Sequence, residues 1–421
     1  MESSYRYTGY RWVVLLVGSV AILSPFLDMI VYAPILGAVA KDLDVSLGHA
    51  TGLMMGFVLA LALVQIWGGI ICDKFGIRVA QVSGLLCASL PATLMPLLGE
   101  SFGVVFACRL IQGASISFIL STIGAILTDW FPPEEEGLAG GILFGAVGLG
   151  STIGVVASPA LFAATGSWQV TVAILSAPGW LGIVLSLLFS GRKPVTVIAP
   201  ISGPSTGQAE ELTFRKALAL PMTWVGVLVV GANSCGLFGL YNLTPPYLSA
   251  ETPIGVGLDT MTAGKLSIAV TAVGILAPLV GGIFLDKVVK GNCRIAMVIG
   301  FALTGIFTFF VLLPGVYGSF GLLVACLMLA GWGIPFMNPS ISAFIATNYP
   351  PKIVGRMIGL WFGFGALCGA LALHFGGWSI HHHGTFYWAL GMISITSIVG
   401  LFMSLLLRSR VAPEHDRAGA T

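Results

Sequence analysis

The sequence predicts an all-α polytopic membrane protein: twelve transmembrane helices in two six-helix bundles, with the N- and C-termini cytoplasmic. Three observations carry this. Of the 421 residues, 57% are hydrophobic and 9% are charged, where an average soluble protein has about 25% charged. The mean hydropathy of +0.98 lies outside the water-soluble range. Basic residues gather on one side of the apolar runs, and short motifs recur in the two halves of the chain. A bilayer-crossing helix needs about 20 apolar residues, so a chain of this length has room for twelve. A soluble enzyme and a single-anchor protein are excluded.

Helix 1 (12–38) follows Arg11 and contains Asp28; it is too long for a cleaved signal peptide and lacks a small-residue cleavage site. Helix 2 (52–71) leads into Gly68-Gly69-Ile70-x-x-Asp73-Lys74, and helix 3 (79–98) starts just beyond Arg78. Helix 4 (103–127) carries Arg109 and stops before Pro132-Pro133. Helix 5 (138–164) contains Gly141, Gly145, Gly148, Gly150, Gly154 and Pro159, a density of small residues that lets helices approach closely. Helix 6 (170–189) completes the first half. After a polar interval, helix 7 (222–247) carries Asn233, Tyr241, Asn242 and Thr244 and is interrupted by Pro245-Pro246. Helix 8 (266–285) has Lys265 at its mouth, and helix 9 is 295–313. Helix 10 (320–346) holds Asn338, Trp332 and Phe336, with Pro335 and Pro339 freeing backbone carbonyls. Helix 11 (357–375) holds Trp361 and Phe364, and helix 12 (386–407) ends the second half.

Sixteen of the 19 basic residues fall on the side of the termini: Arg6, Arg11, Lys74, Arg78, Arg192, Lys193, Arg215, Lys216, Lys287, Lys290, Arg294, Lys352, Arg356, Arg408, Arg410 and Arg417. By the positive-inside rule that side is cytoplasmic. Residues 191–220 are rich in Ser, Pro, Gly and Thr and read as a linker, with a short surface helix over 211–220. The expected division is therefore 1–190, linker 191–220, 221–410, and a polar tail 411–421. The helix 2–3 string recurs as Gly281-Gly282-Ile283-x-x-Asp286-Lys287, and Pro132-Pro133-x-x-x-Gly137-x-x-x-Gly141 recurs as Pro350-Pro351-x-x-x-Gly355-x-x-x-Gly359. Both pairs occupy equivalent junctions, so the halves are parallel repeats.

The stretch Gly69-x-x-x-Asp73-Lys74-x-Gly76-x-Arg78 resembles the loop 2–3 signature of the major facilitator superfamily, and Arg109-x-x-Gln112-Gly113 resembles that family's helix 4 motif. The resemblance covers both halves. It implies two bundles related by an axis along the membrane normal, around a central solute site that opens alternately to each side. Leu27-Asp28-Met29-Ile30-Val31, followed by Pro34, resembles the helix 1 motif of proton-coupled drug antiporters in the superfamily, whereas Gly154 and Pro159 depart from the Gly-Pro pair those antiporters carry in helix 5.

Asp28 is the only acidic and Arg109 the only basic residue inside the twelve runs. A charge at the bilayer centre costs about 3 kcal/mol even on a lenient scale, so each needs a partner or a wet cavity. Rise per residue places both in the outer half of the first bundle, where they can meet. Asp28 is the expected proton carrier; the bland alternative is a permanent ion pair joining helices 1 and 4. The expected solute-binding residues are Arg109, Gln112, Tyr32, Asn233, Tyr241, Asn242, Asn338 and Trp361. Asp73, Lys74, Arg78, Asp286 and Lys287 read as a cytoplasmic gate, with Asp73 set against the N-terminus of helix 11 near Gly355 and Arg356. Three adjacent histidines, His381 to His383, lie in the last outer loop and read as surface residues, like His374.

Seven cysteines show no C-x-x-C pair, so no metal site or disulfide scaffold is expected. No cofactor is expected either. The scattered basic residues leave no footprint for nucleic acid. The leading reading is a monomeric proton-coupled secondary transporter of a small organic solute, best a carboxylate anion, in a prokaryotic cytoplasmic (inner) membrane, its partners being solute, H+ and the bilayer. The alternatives are a drug/proton antiporter, and a sensor or lipid-handling protein with the same fold. The chain carries no nucleotide-binding loop or catalytic triad pattern, which argues against an enzyme.

Overall fold

A computed structural model describes residues 9–131, 133–191 and 212–407. The side chains of Asp73 and Asp286 lie outside what is described, as do residues 192–211 of the linker and the 411–421 tail. The described residues are helical, without strands, and twelve helices are long and apolar enough to cross a membrane. They are helix 1 (Arg11–Ile30), helix 2 (Leu47–Cys72), helix 3 (Lys74–Thr93), helix 4 (Phe102–Leu127), helix 5 (Leu138–Thr165), helix 6 (Trp168–Phe189), helix 7 (Pro221–Ser249), helix 8 (Thr260–Ile283), helix 9 (Cys293–Val311), helix 10 (Phe320–Ile345), helix 11 (Arg356–His383) and helix 12 (Tyr387–Leu406). The face bearing residues 9 and 407 is called here the terminal face, and its opposite the far face.

Local chemistry sets most of the helix ends. Ser46, Ser101, Ser167 and Asp259 cap helices 2, 4, 6 and 8, each side-chain oxygen accepting from the backbone N–H three residues on. The Asp259 carboxyl is held below its usual range chiefly by that hydrogen bonding to Thr262. Its support for helix 8 is present at neutral pH and fades as acid protonates it. Helices 2 and 3 run on through Gly76, whose φ of 84° makes the turn that a Cβ would disfavour.

The two ends that differ most from the sequence expectation are those of helices 1 and 11. Helix 1 stops at Ile30 and a separate short helix, Leu36–Asp42, follows, because Pro34 has no N–H and pushes Ala33 away from helical geometry. Helix 11 continues through the three histidines and ends on Gly384 at φ 60°, so His381 to His383 form its last turn and not a loop. The linker helix is present as Phe214–Leu218, capped by Thr213.

The sequence repeat reappears in the packing. A Cβ on Gly113 would strike the Phe57 carbonyl where helix 4 meets helix 2, and one on Gly331 would strike the Val270 carbonyl where helix 10 meets helix 8. Gly68 against the Ser117 main chain and Gly281 against the Phe336 main chain form a second such pair. Close glycine-to-backbone crossings of this kind let dispersion contacts hold helices together where lipid removes the hydrophobic drive.

The halves meet along two seams, helix 2 with helix 11 and helix 5 with helix 8. Helix 5 uses its glycines on two faces. Gly148 crosses helix 8 at Gly274, while Gly150 and Gly154 lie against Leu23 and Leu27 of helix 1.

Candidate functional site

Helices 1, 2 and 4 build the charged centre of the first half. Arg109 is fully buried and lies between two rings, with its Cζ 4.6 Å from the Tyr32 centroid and 4.4 Å from that of Phe57. Its Nη1 donates to the Asp28 main-chain oxygen at 2.8 Å and to Gln112 Oε1 at 3.0 Å. Nη2 donates to the Met29 oxygen at 3.1 Å, and Nε to the Leu53 oxygen at 3.2 Å. The guanidinium therefore caps the last-turn carbonyls of helix 1, which have no partner within the helix, and ties them to helix 2. Gln112 in turn donates to the Ala88 oxygen of helix 3 at 3.5 Å.

The Asp28–Arg109 ion pair weighed from the sequence is not formed here. The two residues meet, as depth suggested, but through the Asp28 main chain; neither carboxylate oxygen of Asp28 has a hydrogen-bond partner, although the residue is 1% exposed. The Tyr32 hydroxyl beside them is also unpartnered. Buried polar groups are nearly always satisfied, which sets this unpaired carboxyl apart.

The candidate residues of the second half are buried or half-buried but not gathered. Asn233 donates to the Ile334 oxygen at 3.4 Å, joining helix 7 to helix 10. Asn242, about 14 Å further along helix 7 at 1.5 Å per residue, donates to the Phe238 oxygen at 2.8 Å and leaves its Oδ1 free of partners, as Asn338 does on helix 10. The Tyr241 hydroxyl lies at the Gly274 crossing, where both halves meet, and Thr152 donates across the same seam to Thr271 at 3.2 Å. Trp361 is fully buried against Gly226, Phe344 and Tyr349, in the apolar core of the second half. Lys265 is exposed at the start of helix 8.

Of the gate residues, Lys74, Arg78 and Lys287 are exposed on the terminal face, with Arg78 at Gly191 beyond the end of helix 6; Asp73, Asp286 and Gly355 lie outside the described side chains. Sequence reasoning missed a contact between the halves at the far face, where helix 2 meets helix 11. Gly48 lies against the Gly377 carbonyl, Gly377 against Thr51, and Ser46 Oγ pairs with His381 Nδ1 at 3.3 Å. Opening that face means separating two backbones that touch. Gly377→Val is expected to prop it open, raising from that side the labelling rate of a single cysteine placed at Thr271 by about tenfold, which corresponds to about 1.4 kcal/mol. An unchanged labelling rate would show that the glycine contact does not hold the face shut.

Twelve membrane-crossing helices in two halves that meet along paired seams, with charge buried in the first of them, are the architecture of a polytopic membrane protein. The Major Facilitator Superfamily model matches residues 17–314 and 253–421, and the chain belongs to that family. Among curated relatives, the hexuronate transporter of Bacillus subtilis is 23% identical over 61% of this chain and 60% of its own length. The gentisate transporter of Corynebacterium glutamicum is 20% identical over 97% and 90%. An uncharacterised MFS-type transporter of Caenorhabditis elegans is 24% identical over 81% of this chain. The chain spans 57% and 60% of the length of the Caenorhabditis and Bacillus relatives. A solved bacterial homologue of the human lysosomal transporter Spinster matches with a TM-score of 0.72 and 16% identity, over 95% of this chain and 97% of that one.

Proposed function

We propose that the protein is a proton-coupled secondary transporter that moves a small organic solute, best an organic carboxylate, by alternating access. One observation carries the coupling: Asp28 is a buried carboxyl with both oxygens unpaired, beside a guanidinium whose contacts run to main-chain oxygens and Gln112. Such a group can bind a proton in one conformation and release it in another. Support for an anion comes from the relatives named for hexuronate and gentisate, and from Arg109, whose planar fork can hold a carboxylate bidentately once helix 1 shifts. Gln112, Tyr32, Asn233, Tyr241, Asn242, Asn338 and Trp361 would complete the path. In this reading the terminal face is cytoplasmic, the membrane is a prokaryotic inner membrane, and the monomer is the working unit.

A second reading has its own observation. With the guanidinium engaged and the carboxylate free, the unpaired charge is negative, which suits export of a lipophilic cation in exchange for protons. Thermal shift of the purified protein separates the two. Gentisate or glucuronate at about 100 times its Kd should stabilise the protein by about 2.7 kcal/mol, and tetraphenylphosphonium should not. Stabilisation by the cation alone would replace the first reading with the second.

A further inference from the structure

Asp28 is not alone in lacking partners. The hydroxyls of Ser24 on helix 1 and Ser89 on helix 3 are buried, at 1% and 0% exposure, and neither makes a hydrogen bond. Both converge on one point of helix 6. A Cβ added to Gly179 would fall on Ser89 Oγ and lie 2.6 Å from Ser24 Oγ. Ser24 stands four residues before Asp28, one helical turn away on the same face.

The polar line continues to Thr93, the last residue of helix 3. Thr93, one turn beyond Ser89, shares a 2.9 Å hydrogen bond with Ser176 and receives the Trp180 indole N–H at 2.7 Å. Trp180, the thirteenth of the 22 residues of helix 6, is 37% exposed, and Thr93 itself is exposed. Hydroxyls thus run from the exposed Thr93 to the buried carboxyl of helix 1, with Gly179 of helix 6 between Ser89 and Ser24. Helices 1 and 6 take no part in the two seams between the halves.

We infer that Asp28 exchanges its proton along this line, inside the first half, and not through the path the solute takes between the halves. The inference rests on the proton-carrier reading of Asp28. A hydroxyl relays a proton by accepting one on its oxygen and giving up its own to the next acceptor, so each step is balanced and ends on an Asp28 carboxylate oxygen. Ser24, Ser89, Thr93 and Ser176 each have one such donor and two acceptor lone pairs. Unsatisfied buried hydroxyls beside a carboxyl are also where ordered water is held, and water would bridge the gaps between turns. Gly179 is the constriction, since a methyl group there displaces both serine hydroxyls. The charged or titratable groups facing Asp28 are Arg109 of helix 4 and Tyr32 of helix 1, and Cys108 of helix 4 faces Tyr32. Besides Lys74 and Arg78 at the terminal face, the described spans of helices 3, 5 and 6 carry one further titratable group, Cys87 of helix 3.

The test compares rate with equilibrium. In proteoliposomes with an imposed pH difference, Ser24→Ala with Ser89→Ala, and separately Gly179→Ala, should slow proton-driven solute uptake about tenfold, as an added barrier of about 1.4 kcal/mol would. The final accumulation ratio should stay at the wild-type value, because stoichiometry is untouched, and solute exchange at equal pH should keep its rate. A purely structural role for these residues would slow exchange as much as driven uptake, and that result overturns the inference. So does wild-type driven uptake in both variants. Asp28→Asn run alongside tells the two levels apart. If it loses driven uptake while the serine and glycine variants do not, Asp28 carries the proton by another route; if it keeps driven uptake, the reading of Asp28 itself fails.

Discussion

Asp28→Asn is expected to bind solute and exchange it across the membrane at a rate near wild type, and to lose all accumulation driven by a pH difference. Asparagine keeps the size and much of the hydrogen-bonding capacity of the carboxyl, so the packing of helix 1 against helices 3 and 5 survives. What it removes is titration. The charged carboxyl is disfavoured by burial and favoured by the guanidinium, and the balance shifts whenever a conformational change alters the distance between them. Every factor of ten in proton affinity between the two conformations corresponds to about 1.4 kcal/mol available for coupling. Proteoliposomes with protons as the sole driving ion decide it. An Asn variant that still concentrates solute would make Asp28 a structural residue.

The twelve helices are legible in the sequence because crossing a bilayer demands length and apolarity together, and few other arrangements satisfy both. The two misplaced ends show where that signal is blind. Hydropathy does not register the lost N–H at Pro34, so helix 1 reads as continuous through a break. It also ends helix 11 at Phe375, before Gly376-Gly377 and the polar His381 to His383, although Gly384, the residue that can take up the left-handed φ, is what ends the helix. The meeting of Asp28 and Arg109 was legible from their depth. Which atoms meet was not, because main-chain carbonyls occur at every position and leave no mark in the sequence. Ser24, Ser89 and Gly179 were illegible for a related reason. Serine in a membrane helix ordinarily bonds back to its own backbone, and only the absence of that bond, visible in three dimensions, sets these apart.

Arg109 is where the largest loss is expected, and substitutions there separate two roles. Removing the guanidinium leaves the Asp28 and Met29 oxygens of the last turn of helix 1 without a donor in a buried setting and breaks the tie to Leu53 on helix 2. Each unsatisfied group costs about 1–3 kcal/mol, so Arg109→Gln should destabilise the protein by about 3 kcal/mol or more. Transport should fall below detection. Arg109→Lys is the discriminating variant. It keeps the charge, but an ammonium on a flexible stem cannot span carbonyls on two helices in the geometry of the planar fork. If the arginine braces helix 1 against helix 2, the lysine variant should melt below wild type in detergent and lose transport at least about tenfold, the equivalent of about 1.4 kcal/mol. If the arginine is instead a direct ligand for a solute carboxylate, the same variant should melt with wild type and lose solute affinity alone. Helix 1 carries Asp28 at its capped end, so a brace that loosens also frees the carboxyl. The bracing role therefore predicts that proton coupling degrades in parallel with the melting temperature, and a lysine variant that melts early yet keeps full pH-driven accumulation would separate the brace from the coupling.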